Sequence, residues 1–413
     1  MALGAMIGSI GMGKWGQAMN GLDDIRPQLE RCGSLMFTAA IIFMVLYAAG
    51  VVLVLNTGVI EGDSRQDDFV AFWAAAKLAI AGDPVAAFDQ ETLRRAQSLP
   101  PGATPSEFFW RYPPAFHILI TPLGLLPYSA AWLLFNLASL SAFAVALWRR
   151  AAPLPMGHNL IFCAPIVLIT FVLGQASLLW AAALIAAFSA LERDRPVLAG
   201  FLIAMLSLKP QLGILIPFAL AAGGYWRVIL WSSVWVFIVH AAATVVVGMD
   251  YWMHFFEGIL RAAEGLEHGE TNRGRMVSFY AFMRFVGFAH SISIAGQWLV
   301  TALLAAGLFL LWKRPTAPFD LKAAALCIAI PLATPYSFTY ELTLSVPAVI
   351  FMVRSGIGGT TFDRVLLGTL IFGPAATWAL GGAIPVTPLY APLLLLVFGR
   401  CLAQAFRPAP ESP

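Results

Sequence analysis

The chain has 413 residues, and only 11% of them are charged while 60% are hydrophobic. An ordinary soluble protein has about 25% charged residues, and a domain of this size could not cover its surface with so few. The composition excludes a soluble enzyme, a disordered tail and a fibrous protein. The apolar runs are continuous, which excludes an outer-membrane barrel with its alternating strands. What is left is an all-α polytopic membrane protein. The net charge of +3 gives no nucleic-acid footprint. Cys32, Cys163, Cys327 and Cys401 lie far apart, with no ligand spacing for zinc and no disulfide framework.

Residues 1–34 read as a cytoplasmic leader without the features of a signal peptide. Within them, Gly8 to Lys14 has the G-x4-G-K spacing of a phosphate loop, but Trp15 follows where Ser or Thr is needed, and no strand precedes it. The transmembrane part is expected over 35–403, and 404–413 form a cytoplasmic tail. The first span, Leu35–Asn56, is long enough for a hydrocarbon core of about 30 Å. A long polar stretch follows, giving an outer loop over 58–112. Two helical patterns in it, Phe69–Ala81 and Pro84–Gln97, are expected to lie at the membrane surface. Pro113–Leu126 is apolar but short, and reads as a juxtamembrane or re-entrant piece.

Further spans are expected near Ser129–Trp148, Asn159–Leu173, Ser177–Leu191, Val197–Leu208, Leu212–Ala222, Val228–Val247, Ile292–Leu311, Leu321–Ala333, Leu342–Val353, Val365–Leu380 and Leu389–Cys401, for about twelve in all on the usual length criterion. The pair around Lys209 is too short for two upright spans and suits a broken hairpin that enters the membrane and turns back. Lys and Arg gather in alternate loops, among them Arg149, Arg150, Arg193, Arg195, Lys313 and Arg314. The positive-inside rule puts that side in the cytoplasm. The acidic outer side then owns loops 58–112 and 248–276.

Five polar clusters share the outer side. They are Asp67-Asp68, Trp110-Arg111-Tyr112, Gly174-Gln175, Lys209-Pro210-Gln211 and the run from Thr334 to Glu341. Ionisable groups at membrane depth are costly and usually functional, so one shared site is the economical reading. Absences point the same way. There is no D-x-D motif and no Gly-rich nucleotide fingerprint, and no carboxylate/His grouping with metal-ligand spacing. No cofactor is called for, although a loosely held divalent ion at Asp67 and Asp68 stays compatible with the sequence.

These clusters carry a resemblance. Asp68 opens DDFVAFWAAAKLAIAGDPVAAFD. Next come FWRYPPAFHILITPLGLLPYSAAWLLFN, GQASLLWAAAL and AGFLIAMLSLKPQLGILIPF, and ATPYSFTYEL is last. In this order the sequence resembles glycosyltransferase family 87, the bacterial polyprenyl-phosphate-dependent transferases of the GT-C class, from about Asp68 to Leu342. The resemblance implies a GT-C type helical bundle in the bacterial inner membrane. It implies transfer of a mannose- or arabinose-like sugar from a polyprenyl-phosphate donor to a hydroxyl of a glycolipid or glycan acceptor on the periplasmic face. Inversion needs a general base, and motif position makes that base Asp68, although an Asp there also suits a helix N-cap.

The leaving phosphate needs positive charge shielded from water. Lys209, interrupting an apolar hairpin, and Arg111 are the candidates, with a snorkelling lysine and a headgroup anchor as the plainer readings. Arg273 and Arg275 are weaker. Gln175 is placed to bind sugar hydroxyls or to satisfy a helix break. Tyr112, Gln211, Tyr340 and Glu341 complete the substrate-binding set. The family's commoner Pro-His pair is Pro335-Tyr336 here. His117, His240 and His290 read as packed structural residues. The competing reading is a lipid-carrier or solute transporter without catalysis.

Overall fold

The computed structural model describes residues 38–50, 68–97, 109–154, 157–269, 271–380 and 386–407. The leader, the phosphate-loop-like spacing, Asp67 and the last tail residues lie outside them. Among the described residues the structure is helical, with one isolated bridge between Met276 and Phe338. The helices are α1 (Thr38–Gly50), α2 (Phe69–Ile80), α3 (Gln90–Gln97), α4 (Pro114–Ile120), α5 (Tyr128–Ala151), α6 (Gly157–Cys163), α7 (Pro165–Leu173), α8 (Ser177–Glu192) and α9 (Pro196–Ala204). They continue as α10 (Ile216–Ala222), α11 (Trp226–Val247), α12 (Asp250–His268), α13 (Phe279–Val286), α14 (His290–Lys313), α15 (Phe319–Ala329), α16 (Ser345–Arg354), α17 (Thr361–Ala379) and α18 (Tyr390–Ala405).

Among the described residues, four segments are long and apolar enough to cross a membrane: α5, α11, α14 and Thr387–Ala405. Several other expected spans are interrupted for local reasons. Pro165 has no N–H to donate and opens a new helix, which splits Asn159–Leu173 into α6 and α7. The segments on either side of Lys209 tighten into 3-10 turns, Met205–Leu208 and Pro210–Gly213. The segment before Thr334 ends in the 3-10 turn Ile330–Leu332, and the one after it begins in Thr339–Leu344.

These interruptions build three rising and returning pairs. The first is α6 and α7 with α8, turning at Gly174. The second is α9 with α10, turning at Lys209. The third is α15 with α16, turning at 333–338. The turn-back at Lys209 is visible in the packing against α11. Phe201 packs edge-on against Trp235 and Ser207 bonds His240, so α9 rises alongside α11. The far end of α10 returns to the level of Trp312 at the end of α14, where Tyr225 packs on it. Helices that face lipid gain little from apolar burial against each other and rely on close packing. Gly200 supplies that on α9: a Cβ there would lie 2.6 Å from the Cβ of Trp231.

Ion pairs fasten the ends of α5, α8, α15 and α16. Arg150, at the end of α5, bonds Glu192 and lies 3.3 Å from Asp320. Asp320 also receives Nε of Arg354 at 2.8 Å. Beside them Arg400 grips Asp363 through Nε at 2.7 Å and Nη2 at 3.1 Å.

One expectation is corrected. The first helix of the outer loop does not lie on a surface with a mixed face: in α2 every residue from Phe69 to Ala76 is buried. Its sequence FVAFWAAAKLAI is apolar on all sides apart from Lys77, and a helix of that kind belongs in a core. Phe69 packs on Tyr128 and Phe135 of α5, and Phe72 on Phe116 of α4. By contrast α3 is largely exposed, with Leu93, Ala96 and Gln97 as its buried residues.

Candidate active site

The tips of the three pairs and the N-terminal end of α2 meet. Gly174 ends α7 in the left-handed conformation, at φ +65°. This turns the chain so that the carbonyl of Leu173 accepts from the backbone N–H of Asp68 at 2.8 Å. The approach is close: a Cβ on Gly174 would sit 2.6 Å from the Cβ of Phe69. Glycine is required there on both counts.

The same junction orders the Asp68 side chain. Asp68 is buried and occupies the N-cap position of α2, but its carboxylate makes no capping bond. Instead Nε2 of Gln175 donates to Oδ2 at 2.6 Å. The helix-cap alternative for Asp68 therefore fails on geometry, and Gln175 is the residue that orients the carboxylate. Oε1 of Gln175 is buried and has no hydrogen-bond partner among the described residues.

Lys209 takes an extended conformation (φ −136°, ψ 78°) between its two 3-10 turns. It is buried, and its Nζ donates to Oε1 of Glu341. The same Nζ lies 4.6 Å from the ring centroid of Tyr340. It is not a snorkelling lysine. Glu341 is buried too, and its second oxygen, Oε2, accepts from the backbone N–H of Phe338 at 2.7 Å. The carboxylate therefore caps the turn Thr339–Leu344 while neutralising Lys209. A buried cation next to a buried anion offsets part of the cost of removing both from water.

The Asp68 and Glu341 ends are contiguous. Ser177, two residues after Gln175, lines a small cavity together with Trp180 and Glu341. The charges of Asp68, Glu341 and Arg111 all act on the hydroxyls of Tyr112 and Tyr340. Tyr112 packs against Phe116 at 4.3 Å between ring centroids and against Phe72 at 5.4 Å. Arg111 lies over the rings of Phe109 and Tyr336, and its Nε is buried without a hydrogen-bond partner among the described residues. Gln211 is half-buried in the turn after Lys209 and makes no hydrogen bond to this cluster.

Residues of α12 and of the segment that follows it pin the third tip. The Tyr336 hydroxyl donates to the carbonyl of Ala262 on α12. The Val277 N–H donates to Ser337 O at 2.9 Å, and Thr339 Oγ1 to Arg275 O at 2.9 Å. Tyr336, standing where the resembling family more often has His, is thus a tether between α12 and the tip. Tyr251 on α12 was not singled out from sequence. Its hydroxyl accepts from Trp110 Nε1 at 2.8 Å, meets His117 Nδ1 at 2.9 Å and donates to Tyr112 O at 3.1 Å. Its only sequence signal is a Tyr in a loop helix. His117 is fully buried in this network and, as expected, structural. No group of three or more metal-ligating side chains occurs among the described residues.

The helices and this tip-built polar site define a polytopic, all-α membrane protein with a buried cluster of ionisable groups at one end of the bundle. Residues 110–335 match the model of glycosyltransferase family 87, and the chain belongs to that family. It is a multi-pass membrane glycosyltransferase, acting on a sugar donor and an acceptor. No curated protein and no solved structure matches the chain. The matched segment contains Arg111, Tyr112, Gln175, Lys209 and Gln211; Asp68, Tyr340 and Glu341 flank it. Membership favours transfer over the carrier or solute transporter reading.

Proposed function

We propose that this glycosyltransferase moves a sugar from a polyprenyl-phosphate donor to a hydroxyl of an envelope glycolipid or glycan. The reaction takes place at the periplasmic side of the bacterial inner membrane, with inversion. One observation carries the reading: the Asp68 carboxylate is buried, makes no capping bond to its helix, and accepts from Gln175. A general base needs that combination, a carboxylate held still and within hydrogen-bond reach of an incoming hydroxyl.

In the step proposed, the acceptor O–H gives its proton to Asp68 as its oxygen bonds to the anomeric carbon. The bond from that carbon to the phosphate oxygen breaks on the opposite face, and polyprenyl phosphate leaves with the electron pair. The developing charge needs fixed donors. Arg111 supplies them, since its Nε is buried and has no hydrogen-bond partner among the described residues. Lys209 begins neutralised by Glu341 and shifts its third-tip contact toward the phosphate as charge builds. The free Oε1 of Gln175 suits a sugar hydroxyl. Tyr112, Gln211 and Tyr340 line the substrate path. A divalent ion at Asp67 and Asp68 is not needed for this step.

The test is transfer by membranes carrying the wild type or Asp68→Asn, supplied with a panel of radiolabelled polyprenyl-phosphate sugars. Loss of a general base lowers the rate by about 10²–10⁴. Normal transfer by a correctly inserted Asp68→Asn protein would remove Asp68 from the role. Failure of every polyprenyl-phosphate sugar with the wild type would remove the donor class.

A further inference from the structure

An apolar trough lies at the opposite end of the third pair. From the tip at Glu341, α16 runs ten residues to Arg354, or about 15 Å at 1.5 Å per residue. Beside its base, a cavity of about 500 Å³ opens between α6, α16 and α17. Its walls are apolar, with Val349 and Val353 of α16 facing Leu367 and Ile371 of α17. One charged residue lines it, Arg364.

That charge is uncompensated among the described residues. The neighbouring acid, Asp363, is held bidentately by Arg400. Arg364 is exposed and makes two long bonds, Nε to Gly358 O and Nη2 to Gly359 O, each 3.3 Å. Two of five guanidinium donors are used, which leaves room for an anion. Gly368 lines the trough, and a Cβ there would meet nothing within 4 Å. Phe362, Val365 and Phe372 on the same helix are exposed, so the trough borders a face of α17 that meets lipid tails.

We propose that this trough binds one anionic glycerophospholipid, its phosphate on Arg364 and an acyl chain along Val353, Leu367 and Ile371. An apolar channel ending at a lone exposed arginine is complementary to a molecule with a phosphate at one end and a hydrocarbon tail at the other. Basic pockets between membrane helices on the cytoplasmic side bind such headgroups, and the distribution of Lys and Arg puts this end on that side. The site is independent of the transfer chemistry.

Native mass spectrometry of the full-length protein in detergent, titrated with phosphatidylglycerol, phosphatidylcholine or polyprenyl phosphate, tests it. Phosphatidylglycerol should bind the wild type one-to-one and more tightly than phosphatidylcholine. Gly368→Leu, which fills the trough, and Arg364→Gln, a surface change, should each weaken it about tenfold or more, or about 1.4 kcal/mol. Asp68→Asn should bind it normally. Equal binding of the two phospholipids, or wild-type binding by both variants, would overturn the proposal. So would competition for this trough by polyprenyl phosphate in preference to phosphatidylglycerol.

Discussion

Lys209 and Glu341 stand 132 positions apart in sequence and form a buried ion pair where two hairpin tips touch. Each alone would be a charge in an apolar bundle. Together they fasten the second tip to the third. Removing one partner leaves the other uncompensated, at a cost of about 3–5 kcal/mol. Glu341→Gln should lower the thermal stability of the purified protein by a large part of that. Lys209→Met combined with Glu341→Gln should recover most of the loss, because no lone charge remains and Gln can still accept from Phe338 N–H. A double variant no more stable than the single one would deny the pair its structural role. The double variant should nevertheless transfer sugar poorly.

Gln175 touches the Asp68 carboxylate directly. Gln175→Ala should lower kcat more than it raises the donor KM, since the main loss is orientation of the base. A reduction of about tenfold or more is expected where a positioned proton acceptor loses its anchor. A change confined to KM would instead assign Gln175 to the sugar alone.

Gly174→Ala combines a left-handed backbone with a Cβ pressed on Phe69. Its cost should exceed about 1 kcal/mol. Since the strain falls at the junction that holds Asp68, activity should fall with stability. Replacement of Gly213, where a Cβ would meet nothing within 4 Å, should be tolerated by comparison. Thermal melts and transfer assays on both variants check this.

Asp89 precedes α3. Its Oδ1 accepts from Thr92 N–H at 2.9 Å and from Thr92 Oγ1 at 2.6 Å. The Thr92 side chain, then its backbone N–H, hold the Asp89 carboxyl below its usual range. The sign follows: a depressed folded value means the contribution is full above the ordinary carboxylate range and is lost as pH falls through the lower folded value. Asp89→Ala should cost about 1 kcal/mol of local helix stability. Amide exchange across 90–97 should quicken in the variant at neutral pH, and the gap from wild type should close in strong acid. An unchanged exchange rate at neutral pH would mean that the cap contributes nothing.

Much of the architecture was readable from polarity alone. Gly174-Gln175, Lys209-Pro210 and Thr334–Glu341 interrupt apolar runs, and each proves to be a hairpin tip. The pairing of Lys209 with Glu341 was not readable, because two isolated polar residues carry no label of their partner. The burial of α2 was written in FVAFWAAAKLAI but masked by its polar surroundings in sequence. Whether Asp68 caps its helix depends on one side-chain rotamer, and only the position of Gln175 decides it. Tyr251 lay beyond reach because its three partners come from elsewhere in the chain.

The ion pairs of Arg150 and Arg354 have a mechanical consequence. Glu192 and Asp320 hold the ends of α5, α8, α15 and α16 together, away from Asp68. With that end held shut, any widening that admits substrates has to occur at the tips, against the ties that Lys209–Glu341 and Tyr336–Ala262 supply there.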